Sequence, residues 1–180
     1  MVAALVLTVS LTIIPEDACG RAEFNRRLSD YTQLTSQAAA AVPPERVFDD
    51  PTKMLEARAA LRTALRAARP NARPGDVVGG CAGPMLRRII AAALAGSGVD
   101  PVEMRRRFAA DRAPGAKRPV VNHRYDWRLG AWMWPALLRD LPPLPGDLEY
   151  RIVDDDLVLV DIRASLVVDI LEDVLGNGEE

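Results

Sequence analysis

The sequence predicts an α+β protein, mostly α, with four or five helices, one C-terminal antiparallel β-hairpin and a short acidic helix after it. Three observations carry this expectation. Through the first two thirds of the chain, apolar residues recur at spacings of three and four, interrupted by prolines and glycines. From Leu148 to Ile162 two β-branched runs flank Asp154, Asp155 and Asp156, which reads as a hairpin with a polar turn. Beyond it, Leu166, Val167, Ile170, Leu171, Val174 and Leu175 oppose Asp169, Glu172 and Asp173, which is helical spacing. A third strand is the alternative there, because Val, Ile and Leu also alternate from Leu166 to Leu171.

The chain opens on an apolar run, VAALVLTVSLTII, that is shorter than the roughly 20 residues needed to cross a bilayer. Its length suits the apolar region of a signal peptide, although no Lys or Arg precedes it. Ala18-Cys19-Gly20 offers small residues for cleavage after Gly20. The expected organisation is therefore a signal peptide over 1–20 and a single helical domain with a C-terminal hairpin over 21–180. The expected location is periplasmic or secreted, with membrane contact only through the transient export signal. Such a cut would remove Cys19 and leave Cys81 a lone thiol, unusual in an oxidising compartment.

The helices follow in order. Phe24, Leu28, Tyr31, Thr35 and Ala38 form one face of a first helix over 22–41, ended by Val42-Pro43-Pro44. Asp50-Pro51 opens a second helix as N-cap and first-turn proline, with Met54, Ala57, Leu61, Leu65 and Ala68 inward. Arg58, Arg62, Arg66 and Arg69 share its other face. Pro84 starts a third helix with Leu86, Ile89, Ile90, Ala93 and Leu94 inward, ended at Gly96-Ser97-Gly98. Asp100-Pro101-Val102-Glu103 opens a short fourth helix bearing Met104 and Phe108 on one side.

An apolar fraction of 49% argues for a packed core over disorder, and 180 residues suffice to build one. The net charge of −2 carries no global polyanion-binding signal. Its distribution is uneven: residues 51–120 hold 14 Arg and Lys against 5 Asp and Glu, whereas residues 140–180 hold 2 against 12. Mutual neutralisation in the fold is the ordinary reading, placing the arginines near Asp169, Glu172 and Asp173. The arginine stripe lacks interleaved aromatics, so nucleic acid is not an expected partner.

Two segments hold candidate chemistry. Gly79-Gly80-Cys81-Ala82-Gly83 precedes a helix, a setting for holding a phosphate or lowering a thiol pKa, but it lacks the Gly-Lys-Ser/Thr ending of a P-loop. Cys81 with His123, and Asn122 or Asp126 as orienter, has the ingredients of a small cysteine hydrolase. The other segment, Val120 to Trp134, contains all three tryptophans and the only histidine. Asn122, His123, Arg124, Tyr125, Trp127 and Trp132 there are candidates for binding an unknown protein or small ligand; such a cluster more often plugs one end of a core. One histidine excludes a multi-histidine metal site, and the cysteines lack metal spacing. Asp154, Asp155 and Asp156 with Asp161 lack the glycine-containing cup that calcium uses, so they read as a solvated turn, and no metal or cofactor is expected.

The second half resembles a family of small exported bacterial proteins of no established function, common in soil bacteria. The resemblance rests on Asn122-His123-Arg124-Tyr125, Leu141-Pro142-Pro143-Leu144-Pro145, Leu148-Glu149-Tyr150-Arg151, then Leu157, Leu159, Asp161 and Ala164 to Ile170. Asp49-Asp50-Pro51, Ala68-Arg69-Pro70 and Gly75-Asp76 also match. Asp126 stands where the pattern has proline, Ser165 where it has asparagine, and the pattern has no cysteine at Cys81. The resemblance implies export and a topology, and no catalytic residues. The expected function is thus an exported envelope protein with a non-catalytic binding or structural role, with the Cys81–His123 hydrolase as the alternative.

Overall fold

The computed structural model describes residues 15–42, 50–98, 100–130 and 133–176. The apolar run over 2–14 and Trp132 lie outside the described residues. The elements are α1 (Pro15–Ala40), α2 (Pro51–Ala68), α3 (Ala82–Ser97), α4 (Pro101–Asp111), a 3-10 turn (Trp127–Leu129), α5 (Pro135–Asp140), β1 (Leu148–Val153), β2 (Asp156–Asp161) and β3 (Leu166–Leu171). The fold is α+β and mostly α, as expected. Local chemistry sets several helix starts. Asp50 accepts from Thr52 N at 2.9 Å and Asp100 from Val102 N at 2.9 Å, each with proline in the first turn.

The expected acidic helix at Leu166–Leu175 is instead β3, the third strand of an antiparallel sheet in the order β1-β2-β3. All six β3 residues are buried. A surface helix would have exposed one side of this run, whereas a covered strand can bury both. The β2–β3 register shifts at Leu159/Val160, so Val168 and Asp169 both face the helices.

Both faces of the sheet are covered. Tyr150, Ile152, Leu157 and Leu159 pack with Phe24 and Leu28 of α1 and Leu86 and Ile90 of α3. On the other side Val158, Val160, Val167 and Ile170 pack with Val121, Tyr125 and Leu129. Leu61 and Leu65 of α2 close a third cluster with Ala38, Ala164 and Leu166. The hairpin is therefore supported by α1 and α3, not by a C-terminal helix.

α1 begins at Pro15, so the expected boundary after Gly20 falls inside a helix. Cys19 is disulfide-bonded to Cys81, with a Cα–Cα distance of 5.9 Å. Gly20 lets the two segments approach: a Cβ there would lie 2.7 Å from the Cys81 carbonyl oxygen and 2.7 Å from Met85 Cβ.

The basic middle and the acidic C-terminal part pair as expected, through Arg105–Asp155, Arg112–Asp154 and Arg118–Asp154, but the placement of Asp169 differs. Asp169 does not sit on a solvated acidic face; it is fully buried under the loop before α3 and bonds backbone N–H groups. The α2 stripe reaches main-chain oxygens, with Arg62 donating to Ala164 O at 2.9 Å and Arg69 to Val168 O at 3.1 Å. The turn acids are not merely solvated: Asp155 pairs with Arg105 of α4 at 2.5 Å and Asp154 with Arg112 at 3.0 Å.

Tyr31 donates to Asp161 Oδ2 at 2.9 Å between α1 and β2, and Arg69 lies 5.2 Å from the Tyr31 ring centroid. Burial pushes the Asp161 carboxyl above its ordinary value of 3.8. A raised folded-state pKa contributes stability that is present below the unfolded value and lost as pH rises through the folded one. Relative to Asp161→Asn, the wild type should therefore gain stability when urea melts are moved from about pH 7 to about pH 4.5. A difference that stays flat or reverses would contradict this assignment.

Candidate functional site

The segment 121–130 extends the sheet at the outer edge of β3. Asn122 N donates to Val167 O at 2.8 Å, Val167 N to His123 O at 2.9 Å, and Tyr125 N to Ser165 O at 2.9 Å. Asn122 takes a φ of 63°, and its side-chain amide donates to Arg69 O at 2.8 Å, satisfying a carbonyl at the end of α2. Tyr125 is fully buried and donates to Gly130 O at 3.0 Å; burial pushes its hydroxyl up to about 12. Both side chains thus donate to backbone carbonyls of the fold, while the Asn122 Oδ1 is buried without a partner. His123 and Arg124 are exposed, and His123 Nδ1 lies 3.1 Å from Val121 O.

Asp126 accepts from Arg128 N at 3.1 Å and starts the 3-10 turn. The Arg128 guanidinium beside it holds its carboxyl well below the usual range. This turn presents Trp127 outward. The indole Nε1 donates to Ser165 Oγ at 3.3 Å, and the ring meets Tyr125 edge-on at 5.0 Å and 76°. Trp127 remains 39% exposed. Its orientation is set in advance, while part of its surface stays open to a ligand.

Trp127 lines a cleft of about 310 Å³ with Arg58 of α2, Asp147, Glu149 and Arg151 of β1, Ile162 and Arg163. Arg151 pairs with Glu149 and donates to Tyr150 O at 3.1 Å, while its Nε is buried without a hydrogen-bond partner. Asp147 and Arg163 also wall an adjoining depression of about 130 Å³ beside Tyr31 and Asp161. That depression shares Thr32, Ser36 and Pro145 with a broader one of about 630 Å³ over α1. Sequence reasoning found Trp127 but missed Asp147, Glu149, Arg151 and Arg163. The available signal was Glu149 and Arg151, two apart on a strand and so on one face.

The other predicted site is not assembled. The sulfur of Cys81 is bonded to Cys19, so it offers no thiolate, and the hydrolase alternative lacks its nucleophile in this structure. Cys81 lies at the entry to α3, its N–H bonded to Glu23 Oε2 at 2.6 Å, whereas His123 lies beside β3. The glycine-rich loop does not present an open anion cradle either. The Val77 and Val78 N–H groups are taken by Asp169, and that of Cys81 by Glu23.

Among the described residues, no group of three or more His, Cys, Asp or Glu is placed to hold a metal ion. No described helix is long and apolar enough to cross a membrane. No protein-family model, no curated protein and no solved structure matches the chain.

Proposed function

We propose that this is an exported bacterial envelope protein that acts by binding, with the Trp127 cleft as its ligand site. The observation that carries the binding role is the pre-oriented, part-exposed indole walled by Arg58, Arg151 and Arg163. The cleft is mostly charged, with Trp127 and Ile162 as its apolar walls, which suits a polar ligand that also offers one flat apolar face. The test is ligand-observed NMR with a panel of sugars, sugar acids and small carboxylates. At least one compound should bind wild type, with affinity reduced about tenfold or more in Trp127→Ala. No response that depends on Trp127, in a variant whose melting curve remains cooperative, would overturn the reading.

Export is supported by the Cys19–Cys81 bond, since disulfides persist in oxidising compartments. Cleavage after Gly20 would detach Cys19, so in this reading processing occurs upstream of Cys19. Protein from the envelope fraction should yield a peptide joining Cys19 to Cys81 by mass spectrometry. Recovery from the cytoplasm with both cysteines alkylated would reject export. The bond closes a separation of 62 residues, and Cys81→Ser should cost about 2 to 4 kcal/mol in denaturant melts under oxidising conditions. Under reducing conditions the gap to wild type should close.

A further inference from the structure

We propose that the Trp127 cleft takes a carboxylate-bearing pyranose and that the adjoining depressions hold the next residues of the same glycan chain. This rests on the Trp127 cleft being the ligand site. The cleft carries both signs of charge: Arg58, Arg151 and Arg163 against Asp147 and Glu149. A phosphate-rich ligand brings several negative charges and few donors, so it would leave Asp147 and Glu149 facing like charge with no hydroxyl to accept from. A sugar acid satisfies both sets, because its carboxylate accepts from a guanidinium fork while its hydroxyls donate to carboxylates. The indole offers a flat face for the C–H side of a sugar ring. At about 310 Å³ the cleft lies at the small end of ligand sites, roughly 300 to 1,000 Å³, which suits one sugar residue.

The groove beyond changes character in the way a chain would require. Past Asp147 and Arg163 it runs by Thr32 and Ser36 to a broader floor where Asn25, Ser29 and Gln33 face Leu28 and the Pro143-Leu144-Pro145 stretch. The hydroxyl and amide side chains match sugar hydroxyls, and the leucines and prolines match the C–H faces of sugar rings.

Calorimetric titration of the full chain with galacturonic acid, tri-galacturonate, a muramic-acid-containing disaccharide and cellotriose tests this. Tri-galacturonate or the muramic compound should bind about tenfold or more tighter than cellotriose, and whichever does so identifies a uronate polymer or a wall glycan as the source. Arg151→Gln should remove that preference; Arg163→Gln replaces it if the first variant does not fold. Gln33→Ala, at an exposed position on α1, should weaken tri-galacturonate by about threefold or more and leave the monosaccharide unchanged. Trp127-dependent binding of cellotriose as tight as the acids would overturn the sugar-acid assignment while leaving the cleft as the ligand site. Inorganic phosphate outcompeting the acids would do the same. Equal affinity for galacturonic acid and its trimer would overturn the chain, and no Trp127-dependent binding would remove both readings.

Discussion

Asp169→Ala is expected to cost about 3 to 5 kcal/mol and to loosen the loop leading into α3. Asp169 Oδ1 accepts from Gly75 N and Ile170 N, both at 2.8 Å. Its Oδ2 accepts from Val77 N at 2.6 Å and Val78 N at 2.7 Å. Alanine would leave these four donors facing a cavity, and each buried unsatisfied group costs about 1 to 3 kcal/mol before relaxation or water entry. Burial pushes the carboxyl above its ordinary range, and the four N–H donors pull it back by favouring the charged form. Asn is not a neutral replacement, because its NH2 would face backbone donors; about 2 kcal/mol is expected. Urea melts with amide exchange at Val77 and Val78 check this. A loss below about 1 kcal/mol, the scale of an exposed pair, would mean that the loop folds without its carboxylate.

Leu159→Ala should cost about 3 to 5 kcal/mol, the upper part of the range for a buried leucine. Leu159 is fully buried on the central strand, opposite Tyr150 and Asp169, and faces the core formed with α1 and α3. No neighbouring element can collapse into the gap without disturbing the ladder on both sides. Against a usual total stability of about 5 to 15 kcal/mol, this one change removes a large share. Asp155→Asn is the comparison. It gives up a part-exposed pair with Arg105, worth up to about 1 kcal/mol and less in high salt. Paired denaturant melts decide the matter, and small, equal effects would show that the sheet is a peripheral flap.

Asp169 sits where sequence spacing and tertiary packing disagree. In sequence it falls among Glu172 and Asp173 opposite an apolar stripe, and the helical period made it a surface acid. Six consecutive residues, Leu166 to Leu171, satisfy either period tolerably, so spacing alone does not decide between helix and strand. The strand forms because β2 supplies an edge to pair with and because α1, α3 and the 121–129 segment cover both faces. Once β3 is a strand with its register shifted at Leu159/Val160, Asp169 must point at the loop that binds it.

What the sequence by itself determined is what its local chemistry controls. Asp50-Pro51 and Asp100-Pro101 start helices through bonds to residues two positions away, and Asp154-Asp155 turns β1 into β2. The helical stripes at Phe24, Leu28 and Tyr31, and at Leu86, Ile90 and Leu94, are buried as their spacing required. Tertiary structure alone decided the pairing of Cys19 with Cys81, the burial of Tyr125, and the conversion of the arginine stripe into donors for main-chain carbonyls. It also decided the cleft, which joins Arg58 of α2, Trp127 of the 3-10 turn and Arg151 of β1. These residues are remote in the chain and share no period, so only the packing of α2 and the 121–129 segment against the sheet brings them together.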